Sequence, residues 1–187
     1  LMSVLYIDLD KFKELNDRHG HGGGDAALVA LGQRLTRLAI EEPALRIFRI
    51  GGDEFCCILL RNASLQDVSG LARRIKNLAS DPISYDGRLI DLTTSVGAST
   101  GEPGEGIEYI LELADAAVYE AKSQGGDACI VPETQIRERL ERRVSIHRDL
   151  MSAIARGEIG LHHEGVGLFA CRSGGAGALD PSEIWGN

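Results

Sequence analysis

Two short acidic clusters in this chain could do chemistry together. Asp8 and Asp10 flank Leu9 at the carboxyl end of an apolar opening segment, and Asp53-Glu54 follow Gly51-Gly52 at the tip of a turn. Alternation along a strand is expected to send Asp8 and Asp10 to one face and Leu9 to the other. If the turn pairs beside the opening strand, Asp8 and Asp53 converge on one ion. Hard carboxylate oxygens at strand ends suit magnesium, which takes few protein ligands and keeps room for water and phosphate. Each cluster alone has a plainer explanation. Asp8 or Asp10 could start the next helix, where acidic residues are favourable, and Asp53-Glu54 could be solvated turn residues. Both together, separated by suitable elements, favour the metal.

Met2 to Leu9 is apolar and β-branched enough for a central strand. A short helix is expected over Lys11 to Arg18, closed by the glycines between Gly20 and Gly24. From Asp25 to Ile40, Leu28, Leu31, Leu35 and Leu38 recur at helical spacing and give one buried stripe. Leu45 to Ile50 and Phe55 to Leu60 read as strands around Gly51-Gly52. Ser64 with Asp67 resembles a helix-start box, and Val68, Leu71, Ile75 and Leu78 form the buried face of the helix that Pro82 ends. Ile83 to Tyr85 and Leu89 to Ser99 form a hairpin about Asp86-Gly87. Ile107 to Lys122 is a third amphipathic helix and Ala128 to Val131 a last short strand. The order β-α-α-β-β-α-β-β-α-β implies an α+β layered domain, with helices flanking a central, mostly antiparallel sheet.

This domain is expected over residues 1–131. Residues 132–156 read as a charged linker or signalling helix, with Ile136, Leu140, Val144, Met151 and Ile154 on one stripe. Residues 157–187 are glycine-rich without clear periodicity and receive no function. The chain opens abruptly inside a fold, as a piece of a longer protein would.

With 187 residues and a net charge of −8, the composition is that of a soluble globular protein without the basic face of a nucleic-acid binder. No apolar run reaches the roughly 20 residues needed to cross a bilayer and no secretory leader opens the chain, so a cytoplasmic location is expected. The four cysteines, Cys56, Cys57, Cys129 and Cys171, have no CxxC spacing. They are expected to be buried and reduced, with Cys56 and Cys57 on opposite faces of one strand and zinc not expected.

Four motifs in order carry a resemblance. Asp8-Leu9-Asp10-Lys11-Phe12-Lys13-Glu14-Leu15-Asn16-Asp17 is followed by His19-Gly20-His21-Gly22-Gly23-Gly24-Asp25, by Arg49-Ile50-Gly51-Gly52-Asp53-Glu54-Phe55, and by Asp115-Ala116-Ala117-Val118-Tyr119-Glu120-Ala121-Lys122. Over Leu1 to Val131 the chain resembles the GGDEF family of diguanylate cyclases, which join two GTP molecules into cyclic di-GMP and pyrophosphate. The resemblance implies magnesium or manganese held by Asp8, Asp53 and the Leu9 carbonyl, with Glu54 beside the metal or the ribose hydroxyl. It implies that Asp53 or Glu54 assists deprotonation, that Lys13 and Lys122 hold the triphosphate, and that Gly51 and Gly52 line the nucleotide site. Asn16 and Asp25 would read the guanine edge. A carboxylate accepts from the N–H groups of guanine, where adenine presents an acceptor at one of those places. A homodimer is implied, because each domain holds one GTP. Without the resemblance, Asp25 reads as a helix cap and Lys122 as a cation at a helix C-terminus.

The pattern is broken in places. Gly126, followed by Asp127, stands where the family carries a phosphate-binding arginine. Glu42-Pro43-Ala44-Leu45 replaces the R-x-x-D motif of product inhibition, and the D-x-L-T-G-L-x-N-R opening is missing. Arg148 to His163 faintly resembles the start of a phosphodiesterase domain of the EAL type, but no Glu-Ala-Leu follows. An attached EAL or sensory domain is an expectation for the full-length protein only. The alternative reading is a silent or weak GTP-binding regulatory domain. A polymerase palm uses similar acidic pairs but conflicts with the acidic balance.

Overall fold

A computed structural model describes residues 2–132, 134–164 and 167–172. Contacts divide the chain into two compact units, 1–144 and 145–187. In the first unit, β1 (Ser3–Leu9) is the middle strand of a five-stranded sheet. It lies antiparallel between β3 (Glu54–Leu59) and β6 (Thr94–Thr100), with β2 (Leu45–Gly51) on the outer edge of β3. The other edge is β7 (Cys129–Ile130), which runs parallel to β6. The sheet is therefore mostly antiparallel, as the order of elements implied.

The β1 side chains alternate between two cores. Leu5, Ile7 and Leu9 face α1 (Phe12–Glu41) and α2 (Leu65–Ala79), where they pack with Leu28, Leu31, Leu35, Leu38, Val68, Ala72 and Ile75. Val4 points the other way, toward α3 (Ile107–Ser123), and packs with Cys56, Ile110 and Ala114. Cys57 joins the first core and Cys56 the second, so the adjacent thiols do lie on opposite faces. The helix α3 lies close on the sheet because Gly97 has no side chain. A Cβ there would stand 2.3 Å from both the Ala114 carbonyl oxygen and the Val118 nitrogen. Ser64 and Asp67 form the reciprocal capping box that starts α2, each side chain accepting the other's backbone N–H.

Three expectations need correction. The first helix ends at a kink at Gly20 (φ 71°, ψ 168°), as expected, but the second starts directly after it and not at Asp25, so that the two run as α1 and Gly22, Gly23 and Gly24 are helical. These glycines are there for close approach: a Cβ on Gly24 would lie 2.0 Å from Asn16 Oδ1, and one on Gly22 would lie 2.2 Å from the Tyr85 hydroxyl. The segment expected as one strand over 89–99 is two elements. Arg88–Ile90 (β5) pairs with Ile83–Tyr85 (β4) in a separate ribbon, and β6 begins only at Thr94. Alternation continues through Leu92, but Asp91 to Thr93 form no strand, and the pairing with the β1 side reaches back only to the Thr93 carbonyl, which accepts the Asp10 N–H at 2.9 Å. Cys129 is only half-buried, with its Sγ 3.5 Å from the Ala72 carbonyl. The side chain of Cys171 lies outside the described residues.

The helix α4 (Thr134–Ala155) begins within the first unit, where Leu140 and Val144 pack against Leu113 and Ala117 of α3. Arg137 donates to the Thr100 carbonyl at 2.8 Å and to Glu105 Oε1 at 2.5 Å, tying that half to the end of β6. The second unit contains residues 145–155 and a hairpin absent from the sequence reading, β8 (Ile159–Glu164) with β9 (Gly167–Arg172). No described helix is long and apolar enough to cross a membrane.

Candidate active site

The hairpin between β2 and β3 delivers its acidic tip to the end of β1. Register pairs Asp8 with Glu54, and the Leu9 N–H approaches the Asp53 carbonyl at 3.4 Å. The turn is Gly52-Asp53, with Gly52 in the left-handed region (φ 51°) and an irregularity between Arg49 and Gly51. Arg49 clamps it by donating to the Gly52 carbonyl from Nη2 at 2.7 Å. Space beside Gly51 and Gly52 is open, since a Cβ at either would meet nothing within 4 Å. Strand register thus places Asp8, Leu9, Asp53 and Glu54 at one end of the sheet.

Asp8 is the unusual member. It is only 7% exposed, its Oδ2 lies 2.5 Å from Lys122 Nζ, and its Oδ1 is buried with no hydrogen-bond partner. Because β1 alternates, Asp8 faces the α3 side of the sheet, and Lys122 in the last turn of α3 reaches it. Burial pushes the Asp8 carboxyl above the usual aspartate range. Lys122 opposes that rise, while the nearby charges of Asp53 and Glu54 reinforce it.

Asp10 keeps to the Asp8 side of the sheet, as alternation implies, but is held by other partners. The strand ends at Leu9 and the chain turns through Lys11 in a left-handed conformation (φ 54°), yet the Asp10 carboxylate meets Ser95, the residue paired with Asp8 in register. Its Oδ1 accepts from the Ser95 hydroxyl at 2.7 Å and its Oδ2 from the Asp127 N–H at 2.8 Å. Asp127 in turn pairs with Lys76 at 2.7 Å. Asp10 therefore anchors the loop after α3. Sequence reasoning missed the roles of Ser95, Asp127 and Lys76, which depend on pairings distant along the chain, and that of Arg49, which closes its own turn on Gly52.

A second group lies on α1. Asn16 Oδ1 occupies the space that a Gly24 side chain would fill, next to Asp25 and across the Gly20 kink. Asp25 is exposed inside the helix and does not cap it. Lys13 is exposed in the first turn of α1. Gly126 has φ 78°, between Gly125 (φ 110°) and Asp127 (φ 48°), and its missing side chain leaves room for the Asp10 carboxylate.

Among the described residues no three His, Cys, Asp or Glu side chains form a ready-made cation cage. The fit to a cation rests instead on Asp8: a buried carboxylate with one oxygen unmet, beside two further carboxylates. Magnesium and manganese suit such a sparse set of hard donors, because water and phosphate complete their shells.

The family model described as diguanylate cyclase, GGDEF domain, matches residues 1–128. The chain belongs to the GGDEF family. Members of this family are generally metal-dependent. A signalling protein of Caulobacter vibrioides is 33% identical over 165 residues, which cover 87% of this chain and 20% of that protein. Diguanylate cyclase A of Treponema denticola is 36% identical over 126 residues, 66% of this chain and 33% of that one. The GGDEF domain of YfiN (TpbB) from Pseudomonas aeruginosa has the same fold, with a TM-score of 0.65 at 35% identity, over 71% of this chain and 82% of that domain. The chain spans a fifth to a quarter of the length of the first curated relatives it matches. The GGDEF hairpin is thus the Gly51–Phe55 turn, and the GGDEF fold is the five-stranded sheet with its flanking helices.

Proposed function

We propose that this GGDEF domain is a diguanylate cyclase, condensing two GTP into cyclic di-GMP and two pyrophosphates. The observation that carries the reading is the buried Asp8 carboxylate, with one oxygen unmet, facing the Asp53-Glu54 hairpin tip and Lys122. Asp8, Asp53, Glu54 and the Leu9 carbonyl would hold magnesium or manganese. When bound, such an ion neutralises phosphate charge and lowers the pKa of a nearby hydroxyl. Lys13 and Lys122 hold the triphosphate, Gly51 and Gly52 leave the backbone open to it, and Asn16 with Asp25 reads the guanine edge.

The 3′-hydroxyl of one nucleotide loses its proton to Asp53 or Glu54, and its oxygen bonds to the α-phosphorus of the other. The bond from that phosphorus to the bridging oxygen breaks and pyrophosphate leaves with the electron pair. A second copy of the domain presents the second GTP, and the same exchange in reverse roles closes the ring. We place the catalytic domain at residues 1–131, a signalling helix after it, and an EAL or sensory domain elsewhere in the full-length protein. Cyclic di-GMP is then a bacterial signal made where GTP is available, in the cytoplasm.

Incubating the protein at high concentration with GTP and magnesium and separating the products tests this. Cyclic di-GMP is expected from the native sequence and none from Asp53→Ala. No cyclic dinucleotide from a dimeric preparation would refute it. One observation favours a second reading, a GTP-binding regulatory domain with little turnover: the left-handed turn at Gly125-Gly126 carries no cationic side chain, where the family resemblance implies an arginine. Saturable GTP binding without product supports that reading.

A further inference from the structure

We propose that Lys122 is an internal counterion that keeps the Asp8 carboxylate closed to a divalent cation until the phosphates of a bound nucleotide draw the ammonium away. The proposal rests on the nucleotide-binding reading of the site given above. Two observations carry it. Residues assigned to different ligands touch each other, with Lys122 Nζ 2.5 Å from Asp8 Oδ2. The remaining oxygen, Oδ1, is buried and without a partner. The carboxylate is therefore met by one cation from one side, with coordinating capacity left over.

The two partners differ in their freedom to move. Asp8 is fixed in the central strand between β3 and β6, and its side chain is 10% exposed. Lys122 ends α3, its side chain is 42% exposed, and its four-carbon stem can rotate. Lys122 is thus the partner able to leave. Asp53 and Glu54, the other charges felt at Asp8, are carboxylates and do not compete for it.

A divalent cation arriving alone must displace the ammonium or share the carboxylate with it against like-charge repulsion. The ammonium then gives up its pairing with the buried Asp8 carboxylate without gaining a phosphate. A nucleoside triphosphate instead offers anionic oxygens that pair with the ammonium as the carboxylate is released. Cation and nucleotide therefore strengthen each other's binding, by the same factor in both directions. Removing the lysine has effects of opposite sign: the cation alone binds more tightly and the nucleotide more weakly. A merely structural role for Lys122 would weaken both.

Manganese binding without nucleotide is read by electron paramagnetic resonance on the full chain, for the native sequence, Lys122→Met, Asp8→Asn and the double variant. GTP binding with manganese present is read by equilibrium dialysis. Lys122→Met should bind manganese about fivefold or more tightly than the native chain and bind GTP more weakly. Asp8→Asn and the double variant should bind manganese equally weakly. Unchanged or weaker manganese binding by Lys122→Met, while the native chain still binds GTP, overturns the counterion role alone. Failure of the native chain to bind GTP overturns the nucleotide reading, and this inference with it. Circular dichroism checks the fold, and Lys122→Gln supplies the same comparison if the methionine variant does not fold.

Discussion

Gly126 departs from the arginine that the family resemblance implies, and its surroundings predict what a side chain there would cost. Its φ of 78° lies in the left-handed region, and a Cβ would sit 2.9 Å from both Cγ and Oδ1 of Asp10. For an L-residue the left-handed backbone costs about 1–2 kcal/mol. Asp10 cannot simply yield, because it holds the Ser95 hydroxyl at 2.7 Å and the Asp127 N–H at 2.8 Å. Loosening one of these bonds adds about 1 kcal/mol. Gly126→Ala is therefore expected to lose about 2–3 kcal/mol, which lowers the thermal midpoint by about 4–12 °C in a chain of this size. Gly126→Arg should lose at least as much, so restoring the cation alone is not a repair. The assay is a thermal melt followed by circular dichroism, with urea titration for the free energy. A midpoint unchanged or raised by Gly126→Ala would refute the reasoning, since alanine at a compatible glycine site stabilises by about 0.4–1 kcal/mol.

Other expectations follow from single contacts. Gly97→Ala forces a methyl group into the α3 backbone, 2.3 Å from the Ala114 oxygen, and should cost about 3 kcal/mol or more, seen as a lower urea midpoint. Ser64→Ala removes the side-chain acceptor that starts α2 and should cost about 1 kcal/mol, with the urea m-value unchanged. Burial pushes the Cys56 thiol up to about 11 and the Cys57 thiol up to about 12. Both should resist a thiol reagent at pH 8 in the folded protein and react once it is denatured. The folded state retains these protons after the unfolded chain, with thiols near 9.0, has released them. Their contribution to stability is thus fully present below pH 9 and is lost as pH rises through about 11 to 12. Urea midpoints measured between pH 8 and pH 11 should fall, and less so for Cys57→Ala.

What the sequence disclosed and what it withheld divide along physical lines. The leucines at 28, 31, 35 and 38 announced the buried face of α1, and alternation in β1 announced which residues would face each helix layer. Those patterns are local, set by helix and strand periods. The glycines at 22, 23 and 24 misled, because glycine commonly ends a helix and here permits Asn16 and Tyr85 to press against one. For Asp10 alternation gave the face, shared with Ser95 opposite Asp8, but not the partners. Its partners Ser95 and Asp127 lie 85 and 117 residues away, beyond the reach of any periodicity. The pairing of Lys122 with Asp8 was hidden likewise. Each residue was singled out, but for a separate ligand, and only the packing of α3 on β6 through Gly97 brings the two side chains into contact.

The alternation of β1 has one more consequence. The Asp8 side chain projects toward the α3 layer, whereas Asn16 and Asp25 ride on the helix that covers the opposite layer. Any molecule gripped by both groups has to drape over the sheet's rim, its anionic tail on one slope and its ring on the other. If a nucleotide binds as proposed, a bare polyphosphate or a free purine finds only half a handhold.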